Sequence, residues 1–496
     1  MSRSLLLLSL LAGCSSADSF TDLGSYTSGS TWGLVTTDGD SDTPVEAEPE
    51  DTGTPSSPEC DAETPVTLYM SPDDSNSMSS PAQARLAVLD DWDRLTQVPI
   101  RTFEFMNYYH FDYEAPAEGD LQITPTLADN GDGTWTLQVG LTSAARSNSS
   151  RAPMNLTLSI DASGSMAGEP IGYAREVARA LASSLKAGDV ISMATWSTEN
   201  TVLLDGYEVS GPDDPGLLRV IDDLDTGGST NLFNGLASAY ELAENNRADD
   251  RINRVILISD GGANVGVTEA DIIAQYAGSN DQDGIYLVGV GVGTATSYQD
   301  TLMDTATDLG RGASVFVGES EEAWKLFGER GLVSTLDVAW RNVSISLDLP
   351  PGFEVARFSG EEISTDPTEI EPQHLAPDDS MVFYMTLTTC DPAGVTPMST
   401  LGVNASFVDP ISFESQEASV SANFAELMAS DQRLLRKGAA VFSYAEGLKG
   451  WQNAGNDGDR AAAVDVALAQ VERALDGDTD DAELDEIWAV LHVLDE

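Results

Sequence analysis

A chain of 496 residues is too long for one ordinary domain and can bury more than one core. Its 82 Asp and Glu against 24 Lys and Arg leave a formal net charge of -58, which repels polyanions and excludes nucleic acid as a partner. Only four of the basic residues are lysines (Lys186, Lys325, Lys437, Lys449), and the acid-rich balance reads as a solvated surface. Three scattered histidines (His110, His374, His492), with no HExxH and no CxxC spacing, give no zinc pattern.

The first residues, MSRSLLLLSLLAGC, place Arg3 before a short apolar run and end in small residues before Cys14, as an export signal does. The stretch Leu11-Ala12-Gly13-Cys14 resembles the lipobox of bacterial lipoproteins, which implies that Cys14 is lipidated and becomes the new N-terminus. With no other run approaching a membrane span, the expectation is a lipid-anchored protein of the cell envelope, outside the cytoplasm. By analogy alone, Ser15 beside the cysteine favours the outer membrane over the inner one. From Ser15 to about Pro65 the chain is Ser, Thr, Gly, Pro, Asp and Glu, with no Lys or Arg between Arg3 and Arg85. Such a segment buries too little apolar surface to fold and reads as a tether. The remaining cysteines, Cys60 and Cys390, could pair in an oxidising compartment, although sequence does not fix connectivity.

Globular composition starts near residue 64. TPVTLYM reads as a strand, PAQARLAVLDDWDRL as a helix, and the aromatic-dense PIRTFEFMNYYHFDYEAP as core. A hairpin is expected around Asn130-Gly131-Asp132-Gly133. Between 153 and 330, continuous apolar strands (MNLTLSID, VISMATWS, NRVILISD, GIYLVGVGV, ASVFVGE) alternate with amphipathic helices, which predicts a mainly parallel sheet covered on both faces. After residue 335 the pattern returns to alternating strands, and the last 75 or so residues carry apolar positions at helical spacing.

In an open parallel sheet, ligands sit outside the carboxyl ends of the strands. Asp161, Ser163 and Ser165 follow the first such strand, Thr230 precedes a helix in TGGSTNLFNG, and Asp260 closes the strand VILISD. Two carboxylates and three hydroxyls are hard oxygen donors, suited to Mg²⁺ or Ca²⁺ and poorly suited to zinc or copper. Few charged ligands leave the cation with residual positive charge, which a partner's carboxylate can meet.

The set Asp161-x-Ser163-x-Ser165, Thr230 and Asp260 resembles the metal-ion-dependent adhesion site of von Willebrand factor type A domains, in the same order and on the same elements. The resemblance implies that Ser163, Ser165 and Thr230 are hydroxyl ligands and that Asp161 and Asp260 act directly or through bound water. It also implies Mg²⁺, or Ca²⁺ or Mn²⁺, as the cofactor. RTFEFMNYYHFDYEAP, ISDGGANVGVTEADI, DVAWRNVSISLDLPPGFEV and RKGAAVFSYAEGLKG are similar to bacterial type A lipoproteins labelled calcium-activated chloride channel homologues. One departure is Gly262, where related sequences often carry Asp.

The expected organisation is therefore a lipoprotein signal peptide (1–13), an acidic tether (14–63), an N-terminal associated module (64–150), a Rossmann-like type A domain (151–332), a β-sandwich region (333–425) and a C-terminal helical region (426–496). The fold class is α/β, flanked by a sandwich built from N- and C-terminal segments. The expected function is non-enzymatic: a tethered module that binds a protein offering an Asp or Glu to the cation. The alternatives are a metal-dependent hydrolase, for which no histidine or separate general base stands near the site, or an auxiliary subunit of a channel or transport complex.

Overall fold

The computed structural model describes residues 61–73, 76–262, 269, 272–273, 285–477 and 480–495. The signal segment, Cys14, the tether, Cys60 and most of the helix expected over 269–279 lie outside the described residues. The chain begins with β1 (Val66–Ser71), α1 (Ser79–Asp91), α2 (Thr102–Tyr108) and the hairpin of β2 (Leu121–Asp129) and β3 (Trp135–Ser143). At the hairpin tip Gly131 and Gly133 adopt φ of 77° and 91°, and Asn130 N–H donates to Thr134 O at 3.1 Å, as the turn residues predict.

The α/β unit follows, with β4 (Met154–Asp161), α3 (Glu169–Ser184), β5 (Val190–Trp196), β6 (Asn200–Glu208), α4 (Pro215–Asp222), α5 (Leu232–Asn245), β7 (Ile252–Ser259), β8 (Tyr286–Val292) and β9 (Ser314–Val317). The sheet order is β6-β5-β4-β7-β8-β9. All pairings are parallel except β5 with β6, so β6 is an antiparallel edge. The continuous apolar strands follow from burial on both faces. On β7, Val255 and Leu257 pack with Leu236, Ala239 and Tyr240 of α5. Their neighbours Ile256 and Ile258 pack with Ala174, Val177 and Leu181 of α3 on the other face.

The strand β4 starts at a fully buried ion pair. Arg151 Nη1 and Nη2 donate to Asp189 Oδ1 and Oδ2 at 2.9 and 2.6 Å, and both side chains have 0% exposure. Asp189 also accepts from the N–H of Met154 and of Lys186, each at 2.8 Å, which fixes the strand's first residue against the α3–β5 turn.

The remaining strands are β10 (Trp340–Leu349), β11 (Phe353–Phe358), β12 (Glu362–Ser364), β13 (Gln373–Leu375), β14 (Ser380–Thr389), β15 (Thr400–Val408) and β16 (Ser415–Asn423). They join the N-terminal strands in two antiparallel sheets, β12-β1-β10-β15-β16 and β11-β14-β3-β2, with β13 paired to β10. Their apolar faces share one core that includes Leu137, Leu347, Phe383 and Val403. The sandwich thus combines segments from both sides of the α/β unit, and the two crossings between them are tied where Arg146 Nη1 donates to Asp337 Oδ2 at 2.8 Å.

All nine residues of β3 are buried because the helix Arg433–Asn453 covers its second face, with Gln138 Nε2 donating to Leu434 O at 2.9 Å. That helix approaches the helix Asp457–Leu475 closely through small residues: a Cβ on Gly450 would stand 2.8 Å from Ala463 Cβ. The aromatic segment is core as expected, since Phe105 packs edge-on against Tyr444 at 5.2 Å. One apolar cluster runs through α1, α2, α5, one face of the parallel sheet and the C-terminal helices. Arg85 of α1 closes this junction, donating to Glu319 at 2.6 Å, Glu322 at 2.8 Å and Tyr108 OH at 2.8 Å.

Two expected helices are interrupted. The stretch 321–332 forms Ser320–Phe327 and Gly331–Leu336, broken at Gly328. The stretch 425–451 forms Phe424–Met428 and Arg433–Asn453, where Ser430 turns its hydroxyl onto Leu427 O at 2.6 Å. Cys390 is disulfide-bonded. Gly352 N–H donates to Asp61 O at 2.8 Å and Gly352 O accepts from Cys390 N–H at 3.0 Å, so the first described residue lies beside this cysteine.

Candidate metal centre

Each expected donor stands at the carboxyl edge of the parallel sheet. Asp161 ends β4, opposite Trp196 at the end of β5. It is 0% exposed: its position at a strand end does not take it out of the core. Oδ1 accepts from Ser163 N–H and Oδ2 from Ser259 Oγ, both at 2.8 Å. Burial, and to a smaller degree the nearby Asp260 charge, raise the Asp161 carboxyl above its usual range against the lowering effect of the hydrogen bonds from Ser163 and Ser259.

Ser163 is buried and Ser165 is exposed, and their hydroxyls lie 3.0 Å apart. Neither caps α3. That helix starts at Glu169 with Gly168 at its N-cap and no side-chain cap bond, so the Asp-Ser turn, a common helix cap elsewhere, does not cap it. The loop that carries Thr230 is stitched to the first loop by two backbone bonds, Gly227 N–H to Ala162 O at 2.8 Å and Gly164 N–H to Gly228 O at 3.2 Å. Thr230 itself is exposed, directly before α5.

Asp260 follows β7. It is 6% exposed and accepts from Gly262 N–H through Oδ1 at 3.0 Å. A Cβ on Gly262 would stand 3.0 Å from Asp260 Oδ1 and 3.5 Å from Ser165 Oγ, so the first and third loops meet at one point. The turn that brings them there depends on Gly261. Its φ is 78°, and a Cβ on it would come within 1.9 Å of Gln299 O, so only glycine fits. The departure at Gly262 leaves that meeting point without a third acid.

The donor chemistry fits a hard divalent cation. Buried carboxylates and hydroxyls unengaged by the backbone gather at an edge where Ser165 and Thr230 are open to solvent, and no thiol or imidazole stands among them. Ser259 was not singled out from the sequence, although a polar residue at the last position of an apolar strand, next to Asp260, is a readable signal. It orients Asp161 and also accepts from Gly261 N–H at 3.2 Å.

Residues 155–328 match the family model of the von Willebrand factor type A domain. The α/β unit is a von Willebrand factor type A domain. Among curated proteins, "Uncharacterized protein YfbK" of Escherichia coli (strain K12) is 25% identical over 265 residues, covering 51% of this chain and 45% of that protein. The chain therefore matches less than half the length of this relative. Two solved structures are similar to this chain: the ArnB paralog VWA2 from Sulfolobus acidocaldarius, with 18% identity, TM-score 0.40 and coverage of 76% of this chain and 96% of that one, and a von Willebrand factor type A protein from Catenulispora acidiphila, with 14% identity, TM-score 0.46 and coverage of 76% and 95%.

Proposed function

We propose that the chain is an envelope-tethered lipoprotein whose type A domain binds a protein partner through a divalent cation, Mg²⁺ or else Ca²⁺ or Mn²⁺. Ser163, Ser165 and Thr230 would supply hydroxyl ligands, and Asp161 and Asp260 would supply charge directly or through water. A partner's Asp or Glu would complete the shell. The observation that carries this reading is the convergence of three loops, at the solvent-open carboxyl edge of the sheet, on oxygen donors that are neither helix caps nor ion-pair partners.

The hydrolase reading has less support. His374 lies in the sandwich, His110 N–H contacts Glu483, and His492 stacks on Trp488 at 3.7 Å, so none of the three is at the site. Among the described residues no helix is long and apolar enough to cross a membrane, which leaves the channel alternative only an auxiliary role. A pull-down from envelope extracts tests the binding reading: capture with Mg²⁺ that disappears in chelator is expected, and capture indifferent to chelator refutes it. The anchor is tested by Cys14→Ser, which should move the protein from the membrane fraction to the soluble one; a variant that still pellets after a high-salt wash refutes it.

A further inference from the structure

At the opposite, amino end of the sheet, the type A domain meets the sandwich through two buried arginines that lack acidic partners. Arg254 of β7 and Arg341 of β10 are 7% and 6% exposed. Arg254 donates from Nη1 to Asn253 O at 2.8 Å, and Arg341 donates from Nη2 to the hydroxyl of Tyr286. Their guanidinium carbons stand 4.9 and 5.4 Å from the Tyr286 ring centre. The chain's other deeply placed arginines, Arg85, Arg101 and Arg151, each hold a carboxylate at 3.0 Å or closer. Among the described residues Arg254 and Arg341 hold none. Burial pulls Arg254 down to about 10, so it remains a cation at neutral pH. A buried cation without an ion-pair partner is costly, and the acid whose charge acts on Arg254, Asp337, is itself bound to Arg146.

Arg254, Tyr286, Arg311 and His374 line a cavity of ≈ 60 Å³. His374 is pinned in it by a bulge in β10, where Asn342 at φ 49° donates its N–H to His374 Nδ1 at 3.2 Å. That bond leaves the ring proton on Nε2, which is buried and has no partner. Two carboxylates also line the cavity: Asp337 Oδ2 accepts from Arg146, and Asp379, whose Oδ1 accepts from Ser380 N–H at 2.8 Å, is pushed up to about 6 by burial. Since about 10–15 Å³ of such space is enough for one water, the cavity has room for a small ion with water around it.

We propose that this cavity binds one small inorganic anion of halide size, held against the Arg254 guanidinium at the junction of the type A domain and the sandwich. The ion neutralises Arg254 of β7, which shares the Tyr286 ring with Arg341 of β10, and so fastens two strands that belong to different cores. This site is independent of the divalent-cation edge at the other end of the sheet.

The test is thermal unfolding of the wild-type chain in chelator, in sodium chloride against sodium gluconate at matched ionic strength. Chloride should raise Tm by roughly 3 °C or more and saturate, because the ion binds the folded state alone. Arg254→Met should melt at one temperature in both salts. Equal wild-type melting in the two salts, or a full chloride effect in Arg254→Met, overturns the proposal. If that variant does not fold, bromide-soaked crystals of the wild type decide: an anomalous peak beside Arg254 supports the site, and a cavity without one overturns it.

Discussion

If the proposed metal centre holds Mg²⁺, Asp161→Ala should lower its affinity at least roughly tenfold and Thr230→Ala should lower it too, since loss of even an orienting partner costs a metal site about 10- to 100-fold. The two substitutions act differently. Thr230 is exposed, so alanine there removes an oxygen and little else. Asp161 is fully buried and receives Ser163 N–H and Ser259 Oγ, so alanine also strands two donors. A buried carboxylate is itself disfavoured without a cation, however, and its removal offsets part of that cost in metal-free protein. Melting temperatures in chelator should therefore change modestly for Asp161→Ala and hardly at all for Thr230→Ala, while the rise that Mg²⁺ gives the wild type shrinks in both. Calorimetric titration beside melts in chelator measures both quantities. Unchanged affinity with a lowered melting point in both variants would show that these residues only shape the loop.

The largest loss of stability is expected at Asp189→Ala. Arg151 would then be a fully buried cation without its bidentate partner, and the N–H groups of Met154 and Lys186 would lose their acceptor. Breaking such a pair from one side costs about 3–5 kcal/mol, whereas replacing both partners with apolar groups is often close to neutral. Urea unfolding should show a large drop in midpoint for the single variant and a partial recovery for Arg151→Met with Asp189→Leu. A single variant that unfolds at the wild-type midpoint would mean that the pair contributes nothing to holding β4.

The parallel core was legible in the sequence because β4, β7 and β8 are buried on both faces, which forces uninterrupted apolar runs. The candidate site stood out for a related reason: oxygen donors at the ends of such runs break a strong pattern. β6 was not foreseen, and its residues NTVLLDGYE explain why. It is an edge strand, largely exposed, with Gly206 at φ 59°, so it lacks both the apolar run and a clean alternation. β16 escaped notice because Ala418, Val420 and Ala422 supply its inward face with small side chains. The arginine pair was hidden by distance along the chain, since Arg254 opens one strand and Arg341 another in a different sheet. Nothing local marks either as unpaired.

The two tied crossings at Arg146 and Asp337 have a mechanical consequence. A load applied at the carboxyl edge would leave the type A domain through its two crossings to the sandwich, which Arg146 and Asp337 tie together. Within the sandwich it reaches β1, which lies antiparallel between β10 and β12 and leads back to Asp61. A pull on Asp61 directed along β1 would load the hydrogen bonds on both of its sides in shear, so that they resist together instead of peeling one after another.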